Sequence, residues 1–320
     1  MMRKVIVAAL VTIQISIFVS FYSPQASELP IADAHMHAYE KSVSEAQWFL
    51  KKMDDLNVKW GGGVGTYSNE MADTLGPRYI PAYGQEEFMA AFKTGGEQAL
   101  QDPKHPLMRK LLEKGEKLFK AGKIKGFGEI HTDNHTSGPR PMRRHIPLLS
   151  PVVIEMYKIT DRYKGFVQLH VQYSEGLLED ILTLSRDFPN STTILAHCVP
   201  GKNPDVLKTL HKVFSQTENV YCETSGANGP THGRMIPVYS KIFGEGNGRM
   251  YGANGLNKGW KELIERFPER IMLGTDPCCG LKPKYPDLIK EIRTYLLPAF
   301  SPEIARKLSY ENAVRVFGLK

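Results

Sequence analysis

Short apolar runs alternate with amphipathic helical stretches along the chain from residue 31 onward. Eight of these runs are predicted as strands: IADAHMH (31–37), VKWGGGVG (58–65), RYIPAYG (78–84), IKGFGEI (124–130), GFVQLHV (165–171), TTILAHC (192–198), NVYCETS (219–225) and RIMLGTD (270–276). The segments between them repeat apolar residues at the helical period, as in MRKLLEKGEKLFKAG, PVVIEMYKITDRY, GLLEDILTLSRDF, PDVLKTLHKVFSQT and KGWKELIERF. Strands that alternate with helices predict a parallel sheet, and eight units predict a closed (β/α)8 TIM barrel.

Two connections are longer than an ordinary loop and are predicted as insertions after strands 3 and 7. They cover residues 85–107 and the glycine-rich residues 226–257. Long insertions at such places commonly build a substrate pocket or lid, although a surface excursion is the alternative. An open doubly wound sheet is the alternative fold, but the first strand is not followed by the GxGxxG fingerprint of dinucleotide binding.

The N-terminus has the pattern of a secretory signal peptide. Arg3 and Lys4 precede a mainly apolar run at 5–22, and the small-residue stretch SPQAS follows it. A membrane anchor is the competing interpretation, because the run approaches the roughly 20 residues that span a bilayer. Polar residues within the run and Pro24 after it favour cleavage. We therefore expect a signal peptide at 1–26, a single domain at 27–320 and a secreted or periplasmic protein without a membrane anchor.

The composition is that of a globular protein. Of 320 residues, 42% are hydrophobic, and 41 basic against 34 acidic residues give a formal charge of +7. These values exclude a disordered tail, a coiled coil and a collagen-like fibre. The mild basic excess permits an acidic partner without requiring one. Four cysteines are too few and too clustered for a disulfide scaffold, and they do not form a CxxC zinc ribbon.

Metal-binding side chains end five of the predicted strands. They are His35, His37, Glu129, His170, His197 and Asp276. The carboxyl ends of the strands carry the chemistry in this barrel, and the two residues of an HxH pair on an extended strand point to the same side. Histidine and carboxylate ligands suit zinc or another divalent transition metal. Any one of these residues alone would more simply be a hydrogen-bonded rim residue. Their common position on five strands favours a metal site.

The remaining histidines have no such placement. His211 lies in a predicted helix and is interpreted as structural. His131 and His135 follow Glu129 closely, so the sequence leaves open whether they reach the barrel mouth.

Taken together, the motifs HMH, GEI, LHV, LAHC and GTDP resemble those of the amidohydrolase superfamily, in its amidohydrolase-related branch. KELIERFPERIMLGTD and the closing LSYENAVRVFGL extend the resemblance from about residue 31 to 319. In the closing helix of this family, an Asn-Ala-x-x-x-Phe run packs against the barrel. Cys278 and Cys279, directly after GTDP, depart from the family pattern, and the sequence assigns them no role.

The resemblance implies a site for one or two metal ions, with zinc as the expected element. His35, His37 and Asp276 would bind the first ion, and His170 and His197 would bind the second. Glu129 would bridge the two ions, which favours a binuclear site. In relatives with one metal, the histidine of strand six acts in catalysis instead.

The implied activity is hydrolysis of a small ester, lactone, amide or phosphoester. A metal-activated water would attack the substrate, and Asp276 would transfer its proton to the leaving group. A non-oxidative decarboxylase on the same barrel is the alternative enzyme. An exported metal-binding protein without catalytic activity is the other alternative, although a degenerate site usually loses ligands.

A basic loop follows Glu129 and suggests an anionic substrate. Its residues Arg143 and Arg144 are predicted to bind a carboxylate or phosphate at the barrel mouth. A solvated surface loop is the simpler alternative. Nucleic acid is not expected as a partner, because the chain has no wider basic stripe with interleaved aromatic residues. The sequence does not define the oligomeric state.

Overall fold

The computed structural model describes residues 28–37, 42–135, 140–199, 205–225, 229–231, 250–252, 254–278 and 280–320. The predicted signal peptide at 1–26, much of the insertion at 226–257, and Cys279 lie outside the described residues. Within the described ranges, no helix combines the length and the apolar character needed to cross a membrane.

Each of the eight predicted strand segments contains a strand. The strands are β1 (Ile31–Asp33), β2 (Val58–Gly62), β3 (Tyr79–Ile80), β4 (Ala82–Gly84), β5 (Gly126–His131), β6 (Phe166–His170), β7 (Thr192–Leu195), β8 (Val220–Glu223), β9 (Tyr251–Gly252), β10 (Gly255–Leu256) and β11 (Ile271–Met272). β3 and β4 belong to one predicted strand that is divided at Pro81, which has no N–H for the ladder. β9 and β10 form a separate antiparallel pair.

The remaining strands pair in parallel around a closed ring. One sheet has the order β1-β2-β3, and the other has the order β11-β8-β7-β6-β5-β4. The Lys125 N–H donates to the Pro81 carbonyl (2.9 Å), which continues the ladder between the two sheets. At the other junction, Ala34 N–H donates to the Leu273 carbonyl (2.9 Å) and Asp276 N–H to the His35 carbonyl (2.8 Å). The predicted TIM barrel is therefore confirmed.

Helices cover the outside of the barrel, and the five predicted helical segments are all helical. The helices are α1 (Val43–Asp55), α2 (Asn69–Leu75), α3 (Gln85–Gln101), α4 (Pro106–Lys120), α5 (Pro151–Tyr163), α6 (Leu177–Asp187), α7 (Val206–Gln216), α8 (Lys258–Arg266), α9 (Tyr285–Glu291), α10 (Pro302–Arg306) and α11 (Asn312–Phe317). At the start of several helices, a side chain accepts a hydrogen bond from a backbone N–H that has no partner within the helix. Ser42 does so for α1 and Asn257 for α8. The predicted insertion at 85–107 is mostly the additional helix α3, which precedes the crossover helix α4.

Successive side chains on a strand point to opposite faces, and this alternation separates two hydrophobic clusters. On β6, Val167 and Leu169 pack in the larger cluster with the surrounding helices, whereas Phe166 belongs to a smaller cluster with Ala313 and Phe317 of α11. The rings of Phe166 and Phe317 meet edge to face at 5.1 Å. The Asn-Ala-x-x-x-Phe run of α11 thus packs against the barrel. Because side chains on a strand alternate, His170 shares the inward face of β6 with Phe166 and lies at its opposite, carboxyl end.

Candidate metal centre at the barrel mouth

The six predicted side chains converge at the carboxyl ends of the barrel strands. Glu129 lies in β5 and His170 ends β6, while His35 and His37 follow β1, His197 follows β7 and Asp276 follows β11. Five of the six are buried, and His170 is partly buried. Parallel strands in a barrel bring their carboxyl ends to one rim, so side chains spread over some 240 residues of sequence come within contact distance.

His35, His37 and Asp276 form one half of this cluster. His37 Nε2 lies 2.8 Å from Asp276 Oδ1, and His35 Nε2 lies 3.6 Å from the same oxygen. The two imidazole Nε2 atoms are 3.1 Å apart. Three potential ligand atoms therefore face one point.

Glu129 connects this half to the other histidines. Its Oε1 lies 2.7 Å from His170 Nδ1 and 3.2 Å from His197 Nε2. Its Oε2 lies 3.5 Å from His35 Nε2 and 2.9 Å from His131 Nε2. One carboxylate thus contacts both groups of imidazoles, each through a different oxygen.

His131 belongs to the cluster, whereas His135 does not. The rings of His131 and His170 stack with their centroids 4.5 Å apart and their planes inclined by 7°. Gln85, at the start of α3, also contacts Glu129, because its Nε2 donates to Glu129 Oε2 (3.3 Å). The sequence left the first histidine undecided and did not identify the glutamine. His135 instead contacts Asp133, farther along the loop.

Glu223, at the end of β8, is a further carboxylate of the centre that the sequence reasoning missed. It is fully buried, and His35 Nδ1 donates to its Oε1 (2.8 Å). The same oxygen accepts the backbone N–H of His197 (2.8 Å), and Ser225 supplies two further hydrogen bonds. A carboxylate behind a ligating histidine fixes the ring orientation and its tautomer. Glu223 therefore orients His35, while the Ser225 hydroxyl lies 2.7 Å from His197 Nδ1.

Asp33, the last residue of β1, is buried and supports the centre through hydrogen bonds. It accepts the N–H of His35 (3.1 Å), and it accepts both the N–H (3.0 Å) and the hydroxyl (2.5 Å) of Thr275. Burial raises its pKa to about 6 against the effect of these hydrogen bonds. This side chain links the segments that carry His35 and Asp276.

Several residues of the cluster have a left-handed backbone conformation. His37, His197 and Asp276 have φ values of 38°, 57° and 51°, and Cys198 and Val199 continue the left-handed run. Residues other than glycine rarely adopt this conformation, which costs about 1–3 kcal/mol each. Next to His197, a disulfide joins Cys198 to Cys222. The bond ties the end of β7 to β8 and holds this turn in place.

The electrostatics of the cluster follow from burial and mutual contact. Burial lowers the pKa of His131 to about 4 and also lowers that of His170. Burial alone would raise the pKa of Glu129, but His131, His35 and His170 outweigh it and hold that pKa well below its usual range. The same competition, with His35 and His37 as the partners, lowers the pKa of Asp276. The carboxylates are therefore ionised and the His131 and His170 rings neutral at neutral pH.

This donor set fits a divalent metal. Burial opposes protonation of His35 and His197, but the neighbouring carboxylates outweigh it and raise the pKa of both rings. A metal would displace these protons, since neutral imidazoles and ionised carboxylates are the forms that bind metal ions. His170 Nε2 is buried and has no hydrogen-bond partner among the described residues. Groups of three ligand atoms within 4.8 Å of one another occur on both sides of Glu129: His35 with His37 and Glu129, His35 with His197 and Asp276, and His131 with His170 and Glu129. The residues present can therefore hold a divalent metal.

The two predicted anion-binding arginines lie in different environments. Arg144 is 2% exposed, its Nε donates to the His131 carbonyl (2.6 Å), and its guanidinium lies 4.9 Å from the Phe92 ring centroid. Burial lowers its pKa to about 10, although Glu129 acts in the opposite direction. Arg143 is exposed. The structure thus places one guanidinium against the backbone of the metal centre and the other at the surface.

Cys278 lies beside the first half of the cluster. Its Sγ is within 4.8 Å of ligand atoms of both His37 and Asp276. The structure gives this cysteine a place near the mouth, where the sequence had assigned it no role.

The comparisons with known proteins agree with this geometry. The family model for amidohydrolases matches residues 90–319. No curated protein matches the chain. Among solved structures, an amidohydrolase from Burkholderia multivorans with bound zinc has a TM-score of 0.50 and 13% identity, covering 91% of this chain and 100% of its own.

Two further solved structures represent different activities. A probable 2-pyrone-4,6-dicarboxylic acid hydrolase from Acinetobacter baumannii, with citric acid bound, has a TM-score of 0.51 and 12% identity (91% of this chain, 100% of that one). A dihydroxybenzoic acid decarboxylase from Polaromonas sp. JS666, with manganese and 2-nitroresorcinol bound, has a TM-score of 0.50 and 11% identity (91% and 97%). At these identities the similarity shows the fold alone. The family model covers most of the chain, and the chain therefore belongs to the amidohydrolase family.

Proposed function

We propose that the protein is a metal-dependent hydrolase that cleaves a small ester, lactone, amide or phosphoester. The observation that carries the proposal is the position of Glu129, whose two oxygens face different groups of histidines at the barrel mouth. A carboxylate in this position is suited to bridge two ions.

The proposed ligand assignment is the one that the resemblance to the amidohydrolase superfamily implies. His35, His37 and Asp276 would hold one ion, and His170 and His197 the other, with zinc as the expected element for these ligand types. A divalent metal in such a site lowers the pKa of a water molecule from 15.7 towards about 7 and polarises the oxygen of the bond to be broken. Glu223 keeps the His35 ring in position through the hydrogen bond to Nδ1.

Asp276 is the proposed proton carrier. Its carboxylate lies at the mouth, where it contacts His37, and its lowered pKa shows that it is ionised there. It would take the proton of the attacking water and return it to the leaving group. Gln85 donates to Glu129 Oε2 and holds that carboxylate in its orientation.

The substrate is proposed to be a small anionic molecule. Arg144 lies in the loop after β5 and donates to the His131 carbonyl, and Arg143 is exposed in the same loop. The citric acid in the hydrolase of similar fold supports a carboxylate-bearing ligand. Nucleic acid is not expected as a substrate.

Chelation combined with a substrate panel tests the proposal. Removing metal should abolish turnover of esters, lactones or phosphoesters, and added zinc or manganese should restore it. Elemental analysis should approach two ions per chain in the wild type and fall in Glu129→Gln, whereas Glu291→Gln, a buried carboxylate outside the cluster, should not change it. Full activity without metal would refute the proposal. One firmly bound ion that Glu129→Gln leaves unchanged, together with release of carbon dioxide from a carboxylated substrate, would favour a decarboxylase.

Export is also proposed, because the N-terminal pattern is that of a cleaved signal peptide. The Cys198–Cys222 disulfide supports an oxidising compartment, where such bonds persist. Mass spectrometry of the natural protein should find a start near residues 25–28. An intact Met1 on a membrane-bound protein would mean an anchor.

A further inference from the structure

A second group of metal-binding side chains lies in the loop after β5, outside the centre at the mouth. Asp133 and His145 pair as an antiparallel bridge. Asn134 N–H donates to the Arg144 carbonyl (3.1 Å), and Ile146 N–H to the Thr132 carbonyl (2.7 Å). Two stretches of the loop thus lie side by side and are held by their backbones.

Within this ladder, Asp133 lies between two imidazoles. Its Oδ1 is 2.5 Å from His135 Nδ1, and its Oδ2 is 2.7 Å from His145 Nδ1. Oδ1 also accepts the backbone N–H of His135 (3.0 Å). The two rings are nearly perpendicular, with their centroids 5.9 Å apart. Each histidine therefore directs the same nitrogen, Nδ1, towards one carboxylate.

Burial differs sharply within the group. The Asp133 side chain is 5% exposed, whereas those of His135 and His145 are 40% and 55% exposed. The carboxylate is thus buried, while the two imidazoles lie at the surface in contact with solvent. His145 is further anchored, because its backbone N–H donates to Glu97 Oε1 of α3 (2.8 Å).

We propose that Asp133, His135 and His145 form an additional binding site for a divalent transition metal, with zinc as the expected ion. The three ligand atoms lie within 4.8 Å of one another and provide two imidazole nitrogens and one carboxylate, a set that suits zinc. Solvent on the exposed side would complete the coordination. The site is distinct from the centre at the mouth, and none of its ligands is shared with it.

Metal binding here needs no large rearrangement. Without metal, each imidazole carries its proton on Nδ1 and donates it to Asp133, which leaves Nε2 facing outward. Moving that proton from Nδ1 to the solvent-facing Nε2 frees the Nδ1 lone pair for the metal. The number of protons on the ring does not change.

The metal would act as a structural clamp on the loop beside the mouth. Arg144 lies next to His145 in the ladder, and its Nε donates to the His131 carbonyl. His131 in turn contacts Glu129. Fixing His135 to His145 would therefore fix the segment that supports this side of the active centre.

Chemical modification of the wild-type protein tests the proposal without a substitution. In the tautomer without metal, the outward Nε2 lone pairs of His135 and His145 react with diethyl pyrocarbonate. When zinc holds Nδ1, Nε2 carries the proton and should react at least tenfold more slowly. His211 is exposed on α7 and serves as an internal control, because its modification rate should not change with zinc.

A second measurement counts ions. After equilibrium dialysis against Zn²⁺ alone, His135→Asn combined with His145→Asn should hold one ion per chain fewer than the wild type, and His211→Asn should hold the same number. Equal stoichiometry in all three proteins, or equal modification of His135 and His145 with and without zinc, would overturn the proposal. Ions at the mouth are counted separately through Glu129→Gln, so this result is independent of the proposed hydrolase activity.

Discussion

Replacing Glu223 by glutamine should weaken metal binding at the barrel mouth, although Glu223 is not expected to touch the metal. Its Oε1 accepts from His35 Nδ1, from the His197 N–H and from the Ser225 hydroxyl, and its Oε2 accepts the Ser225 N–H. Glutamine keeps the shape but removes the charge and turns one of the two oxygens into a donor. Because the site is fully buried, no water can replace the lost acceptor.

The size of the effect follows from those four hydrogen bonds. In the best orientation of the new amide, its nitrogen takes the Oε2 position and faces the Ser225 N–H, which leaves a buried donor unpaired at about 1–3 kcal/mol. The other three bonds change from a charged to a neutral acceptor and weaken to roughly half. Part of this loss destabilises the fold. The remainder affects the orientation of His35. Replacing a carboxylate that orients a metal ligand in this way typically lowers metal affinity by about 10–100-fold.

The assay is competition for zinc with a chromophoric chelator, combined with kcat/KM on the best substrate of the panel. Glu291→Gln is the matched control, because Glu291 is also buried and accepts the N–H and hydroxyl of one residue, Thr231. The control should lower the free energy of unfolding and leave zinc affinity unchanged. A folded Glu223→Gln protein with zinc affinity within twofold of the wild type would refute the assignment of Glu223.

Further substitutions test three separate features. Asp276→Asn should lower kcat far more than it raises KM, since the amide cannot accept a proton; near-normal turnover would leave Asp276 a structural role. Converting both Cys198 and Cys222 to serine should lower the free energy of unfolding by about 3 kcal/mol in urea denaturation, because the bond closes a loop over a sequence separation of 24; an unchanged midpoint would argue against the bond in solution. Arg143→Ala should raise KM for acidic substrates and spare neutral ones, while Arg144→Ala should also lower kcat, because it removes a donor from the backbone of the centre; equal effects on acidic and neutral substrates by Arg143→Ala would reject the anion site.

The barrel could be predicted from the sequence because its signals are local. Apolar runs separated by helical periods identify all eight strand segments, and each segment contains a strand. The histidines and carboxylates could be placed at the rim for the same reason, since a strand end is visible in sequence. Pro81, which divides the third segment into β3 and β4, is also a local signal.

Contacts between neighbouring strands could not be predicted in this way. Leu195 of β7 pairs with Cys222 of β8, and this register brings Cys198 and Cys222 within 4.9 Å between their Cα atoms. A count of four cysteines does not contain that information. Glu223 had a usable signal, because it ends the predicted strand NVYCETS as His170 and His197 end theirs. Its role behind His35, however, depends on a contact between β8 and the end of β1 that the sequence does not show.

Residues with a left-handed backbone conformation cluster at the barrel mouth. Among the described residues other than glycine, seven have positive φ. Lys164 is the C-cap of α5 and Asn57 follows the end of α1, which is where helices commonly place a left-handed residue. The other five, His37, His197, Cys198, Val199 and Asp276, have no such explanation, and all lie at the carboxyl ends of barrel strands.

Strained residues persist only where their surroundings determine them strongly. At the mouth, three features hold the backbone in these conformations. The disulfide joins Cys198 to Cys222, Glu223 accepts the backbone N–H of His197, and Asp33 accepts the backbone N–H of Thr275, just before Asp276. These supports do not bring more apolar surface into the core. They hold imidazoles and carboxylates in contact with one another at the carboxyl ends of the strands. Because strained backbone conformations cluster at functional sites, these five residues support a functional site at the mouth independently of the ligand pattern.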